Sequence, residues 1–371
     1  MPPFFSYSLR ILVVSALVAG VCRAQEPFPG EPASPPSSGQ PAQQQQQQQR
    51  APVNMPPPVI ADDQFATPTL HVNTNIVLVP TLVEKKSGDV LYGLQPKDFV
   101  LTDNGVQQSV HVDEDMDSQP VSLVICMERG RDAAMEFDKF ARLGPLLQMF
   151  TGEGQGEVAL VVFDSRPTYL EAFQKDTSYI EQDLDNLPPG DGGAAILDAV
   201  GYSVNLLQQR PVDHRRVLLL ISETRDHGSR HVTIPQLVQQ IGTTNTLVFS
   251  LAFAPSKSEL REWAKGHGGM GNDINVLAPL MMTMNAMRRN TPKTLASMSG
   301  GEYATFARDK SFEDHIAEVA SHARNRYMLS FHPTDLTPGL HDLKVSLTQD
   351  YGARIVSRES YWAVNDAAKT P

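Results

Sequence analysis

The stretch PVSLVICMERG, residues 120–130, decides how this chain is read. From Val121 to Met127 it is apolar almost without interruption, as in a strand covered on both faces rather than one. A charged, glycine-containing turn follows. Beyond it Ala134, Phe137, Phe140, Ala141, Leu143 and Leu147 recur with the period of an amphipathic helix. The runs VALVVFD (158–164), RVLLLIS (216–222) and TLVFSLAF (246–253) repeat the strand pattern. Ile196, Val200, Val204 and Leu207 mark a second helix, and residues 311–324 a last one with Phe312, His315, Ile316, Val319 and Ala323 inward. Strand and helix in alternation predict a doubly wound, mostly parallel α/β sheet. Such sheets bind ligands in the crevice at the carboxyl ends of their strands, which is where the turn after Met127 falls.

Working outward, the flanks change period. Residues 70–112 alternate apolar and polar, predicting strands at Leu70–Val72, Ile76–Glu84, Phe99–Asp103 and Gln107–Val112, with turns at KSGD and DNG. After residue 326, YMLSFHP (327–333), HDLKVSLTQ (341–349) and RIVSRESYWA (354–363) alternate again. Either group alone is marginal. The economical solution pairs them as one small antiparallel, β-sandwich-like domain (66–118 and 326–364), with the α/β domain (119–325) inserted and a short tail at 365–371. Residues 256–290, glycine-rich and then methionine-rich, read as an extended loop plus an adaptable apolar helix.

The start of the chain carries Arg10, an apolar run from Ile11 to Val21, and small residues ending at Ala24. That order is a secretory signal, 1–24, too short for a stable anchor. Lipidation at Cys22 is disfavoured by the bulk of Val21. The protein is therefore expected to be exported, periplasmic or secreted. Residues 25–65, with proline, serine and seven consecutive glutamines, read as a disordered linker. No other run approaches 18 apolar residues, so no transmembrane segment is expected in the mature chain. The formal charge of −11, with no Lys/Arg cluster, argues against nucleic acid. With Cys22 removed, Cys126 is left alone and no intramolecular disulfide can form.

From Pro120 to about Arg324 the order of elements resembles a von Willebrand factor A domain. The span from Thr69 to Ala363 is similar to a VWFA-related family found mainly in Acidobacteria, through the leading NTNIVLVPTLVEKKSGDVLYGLQPKDFVLTDNGVQQSV and the closing RYMLSFHPTDLTPGLHDLKVSLTQ with YWA. The resemblance implies a metal-ion-dependent adhesion site, in which Asp-x-Ser-x-Ser, a Thr and an Asp hold a divalent cation through oxygen. Here Cys126 stands for that Asp, Glu128 and Gly130 for the serines, Ala194 for the Thr and Glu223 for the last Asp. A thiol is too soft for magnesium, and Arg129 places a cation beside the site. The site is read as degenerate, with no metal and no cofactor.

What remains is a candidate partner-binding face of Glu128, Arg129, Asp191, Glu223, Arg225 and Asp226, in a non-enzymatic module with an unknown protein partner. One alternative is a magnesium- or manganese-dependent adhesion module with a rebuilt site of Glu128, Asp191 and Glu223. Another is a thiol enzyme or redox sensor using Cys126, with His214, His227 or His231 as base. HGGMGND lacks the Lys-Ser/Thr of a phosphate loop, and Gly-x-Ser-x-Gly, His-Glu-x-x-His and Cys-x-x-Cys are missing.

Overall fold

The computed structural model describes residues 76–113, 119–130, 156–253, 278–306 and 309–364, together with 133, 137, 143 and 146–151. The signal, the linker, the strand at Leu70–Val72, Phe140 and Ala141 of the first helix, the glycine-rich segment up to residue 277 and the tail lie outside these.

Six strands form the central sheet: β5 (Val121–Glu128), β6 (Glu157–Phe163), β7 (Pro167–Gln174), β8 (Arg215–Ser222), β9 (Leu247–Phe253) and β10 (Tyr303–Phe306), in the order β10-β9-β8-β5-β6-β7. All neighbours run parallel except β7, which turns back along β6 as an edge strand. Alternate residues of β5 enter different cores. Leu123, Ile125 and Met127 join Phe150, Ile180, Leu184, Phe312 and Ile316 on one side, whereas Val124 and Cys126 join Ile196, Val200, Leu237, Val238 and Leu295 on the other. Period two thus supplies a full apolar face to each layer of helices. The first layer holds α1 (Gln148–Thr151), α2 (Ser178–Asp185) and α7 (Asp309–Arg324). The second holds α3 (Ile196–Gln208), α4 (Ile234–Thr243), α5 (Ala278–Arg289) and α6 (Thr291–Ser299).

Local signals set several ends. Thr233 and Gln236 form a reciprocal capping box at the start of α4. Asn290 accepts Lys293 N–H at the start of α6, which ends at Gly300 in the left-handed region. The Asn104-Gly105 pair, both with positive φ, closes a two-residue hairpin between β2 (Phe99–Asp103) and β3 (Val106–Gln108).

The remaining strands are β1 (Val77–Lys85), β4 (His111–Asp113), β11 (Tyr327–Phe331), β12 (Gly339–Leu347), β13 (Ala353–Ser357) and β14 (Ser360–Ala363). They form two antiparallel sheets with β2 and β3, ordered β13-β1-β11-β4 and β14-β12-β2-β3. Each sheet draws strands from both ends of the chain, and Val79, Leu101, Leu329, Phe331, Leu343 and Tyr361 share one core. Two stretches read as single strands are divided: 107–112 becomes β3 and β4, and 354–363 becomes β13 and β14, in different sheets. At the second division Arg358 turns inward. Its guanidinium donates to the carbonyls of Ser360, Leu78, Ile241 and Gly242, so it caps the carboxyl end of α4. Burial lowers its pKa to about 10.

Candidate functional site

Four segments meet at the carboxyl ends of the parallel strands: Glu128–Arg129–Gly130 after β5, Asp164–Ser165–Arg166 after β6, residues 188–195 before α3, and residues 223–231 after β8. Backbone bonds lock them. Arg129 N–H donates to the Phe163 carbonyl at 2.8 Å, and Gly190 N–H to the Arg129 carbonyl at 2.7 Å. Ala194 and His227 exchange both backbone bonds at 2.9 Å, and Ala195 N–H reaches the Asp164 carbonyl at 2.8 Å. Gly193 lies against Ser165 so closely that a Cβ would sit 2.9 Å from backbone atoms, so a side chain there would part the two loops.

The carboxylates of this face are engaged by neighbouring groups, and all but the exposed Asp191 are buried or half-buried. Glu128 is 2% exposed and accepts the Glu223 N–H at 2.9 Å. Glu223, 7% exposed, pairs with His227 four residues onward in the same loop. Arg129 is held by Asp164 at 3.1 Å. Asp191 accepts from Gly193 N–H at 2.8 Å and from Ser165 N–H and Oγ at 3.0 and 2.9 Å. The Gly193 bond foremost holds its carboxyl below the usual range. Asp226 accepts Leu197 N–H at 3.0 Å, so the third loop caps α3, which has no capping side chain of its own. Asp198 returns the bond, accepting Arg230, His231 and Val232 N–H at 2.9, 3.1 and 2.7 Å.

The structure therefore brings Glu128 together with Glu223, and leaves Arg225 exposed with no side-chain hydrogen bond or ion pair among the described residues. Arg166 and Arg230, not singled out from sequence, share that condition. Asp164, which holds Arg129, and Asp198 were also not legible, since a lone Asp in a loop or a helical first turn has no distinguishing pattern. Cys126 is fully buried between Val161 and Leu220, and burial pushes its thiol up to about 12, an effect partly offset by Ser203. His214 precedes β8 rather than following it, so it lies at the opposite end of the sheet from the third loop. There Ser122 Oγ stands 2.8 Å from its Nδ1 and donates to Glu157 at 2.6 Å. That hydroxyl is fully buried, so no substrate reaches it.

No protein-family model matches the chain, and no curated protein matches it. Among solved structures it is similar to an aerotolerance-related membrane protein from Bacteroides fragilis, at 14% identity over 54% of this chain and 98% of that one, TM-score 0.37. It is similar to BatB from Bacteroides thetaiotaomicron at 13% identity over 55% and 98%, TM-score 0.38. A third is the vWF domain of the type V pili tip protein Mfa5 from Porphyromonas gingivalis, at 20% identity over 29% and 39%, TM-score 0.26. The strand order gives a doubly wound α/β fold with one large, mostly parallel sheet. No helix among the described residues is long and apolar enough to cross a membrane.

Proposed function

We propose that this protein is an exported, non-enzymatic protein-interaction module. Its A-like part is inserted in a β-sandwich-like base, and its upper face works without metal. The observation that carries the reading is the asymmetry in how the charged groups of that face are engaged. Glu128, Asp164, Asp191, Glu223 and Asp226 are engaged by neighbouring side chains or backbone N–H groups, while Arg166, Arg225 and Arg230 present unengaged guanidinium groups to solvent. These exposed guanidinium groups are docking points suited to a partner presenting carboxylates. Arginine would then supply the positive charge that a metal supplies in the resembled family.

The test is capture of partners from the exported fraction of the producing organism by the full chain and by the Arg225→Glu/Arg230→Glu double variant. The expected result is capture that weakens with salt and is lost in the variant. Equal capture by both proteins, insensitive to salt, would overturn the reading.

A further inference from the structure

At the other end of the sheet, where β10 begins, helix α7 meets strands β1 and β13 over a second cluster of ionisable groups. Glu318 and His322 are four residues apart on α7 and so share one helix face. Glu84 approaches from β1, and one ligand atom of each of the three lies within 4.8 Å of the others. His322 is 4% exposed. Its Nδ1 lies 2.7 Å from Glu302 Oε2, so that carboxylate takes the Nδ1–H, and among the described residues none hydrogen-bonds to Nε2. A carboxylate fixing one imidazole nitrogen and leaving the other available is the usual setting of a metal-binding histidine.

The supports are themselves fixed. Glu302 accepts from Arg326 at 3.0 Å, and Arg326 is buried under the carbonyls of Gly300 and His322 and over the Phe249 ring. The remaining cation is movable. Arg354 on β13 reaches Glu84 at 2.6 Å and Glu302 at 3.2 Å, yet its side chain is 57% exposed. Glu318 also receives His315 at 3.4 Å.

We propose that Glu84, Glu318 and His322 form a binding site for a divalent transition metal, with Glu302 as the positioning residue and Arg354 as a displaceable counter-ion. One imidazole with two carboxylates suits zinc better than magnesium or calcium, which call for oxygen throughout. The site lies apart from the upper face and does not depend on what that face binds. A bound ion would tie β1, near the start of the folded part, to the last helix of the A-like part.

The experiment is zinc titration of the metal-free full chain against a chromogenic chelator, with cobalt as a spectroscopic substitute. One equivalent is expected, with visible cobalt absorption. His322→Gln should abolish competition with the chelator, and Glu302→Gln should weaken binding about tenfold to a hundredfold. His332→Gln, at an exposed histidine outside the cluster, should change nothing. Arg354→Gln should tighten binding, because it removes the competing charge. Glu318→Gln, at an exposed helix position, keeps the test open if His322→Gln fails to fold. No stoichiometric binding, binding indifferent to Glu318→Gln, or binding weakened by Arg354→Gln would each overturn the proposal.

Discussion

His341 Nδ1 stands 2.9 Å from Asp103 Oδ1 in the buried join between β12 and β2, strands from opposite ends of the chain. The other ring nitrogen faces the Thr337 carbonyl at 2.7 Å, and Tyr361 donates its hydroxyl to the second Asp103 oxygen at 2.8 Å. With an acceptor opposite each nitrogen, the geometry favours the doubly protonated ring. The Asp103 bond foremost raises its pKa, with burial opposing.

This pair predicts a pH dependence of stability. A folded pKa above the unfolded value of about 6.5 gives a contribution that is complete below pH 6.5 and lost as pH rises through the folded value. Denaturant unfolding from pH 5.5 to 8.5 should therefore show wild type losing its advantage over His341→Gln as pH rises. A constant difference between the two would refute the assignment.

The upper face predicts indifference to magnesium. A ligand binding only the native state at about 100 times its Kd adds ~2.7 kcal/mol. Millimolar magnesium should leave the thermal midpoint of the metal-free protein unchanged. A saturable rise of several degrees would restore the metal-dependent alternative built on Glu128, Asp191 and Glu223.

Cys126 should be inert while the protein is folded. Its thiol is buried and its pKa of about 12 leaves almost no thiolate at neutral pH. Alkylation should be slow in buffer and fast in denaturant. Cys126→Ser should cost on the order of 1 kcal/mol, for a hydroxyl placed in an apolar core. Rapid alkylation of native protein near pH 7 would instead make the thiol a functional group.

Gly242 should resist substitution. It lies where α4 meets β14, and a Cβ there would be 2.7 Å from Trp362 Cβ and 2.8 Å from Trp362 N. These are backbone and Cβ atoms of Trp362, which cannot swing aside as the end of a flexible side chain could. Gly242→Ala should lower stability by about 1–3 kcal/mol and shift the emission of Trp362. A variant as stable as wild type would refute this close approach.

Much of the architecture is written locally. Continuous apolar runs identify β5, β6, β8 and β9 because a strand covered on both faces must be apolar at every position. The Asn104-Gly105 turn is legible because few residue pairs adopt positive φ twice in succession. The edge strand β7 is not legible, since Pro167–Gln174 is half exposed and carries neither continuous apolarity nor strict alternation. Nor is the division of 354–363, because the turn at Arg358 is set by carbonyls of α4 more than a hundred residues away.

The candidate site divides the same way. Sequence by itself determined which residue types stand at the end of β5 and in the loops beyond it, and that Cys126 and Ala194 replace oxygen donors expected from the resemblance. Tertiary structure alone decided what the charged groups do there. Whether a carboxylate is offered to a partner depends on which backbone N–H or side chain engages it, and for Glu128, Asp164, Asp191 and Asp226 one such group lies on another segment of the chain. Spacing along the chain carries no record of such contacts. The Glu318–His322 pair is visible as a helical four-residue step, but Glu84 joins it only because β1 is packed beside α7, at a separation of more than 230 residues.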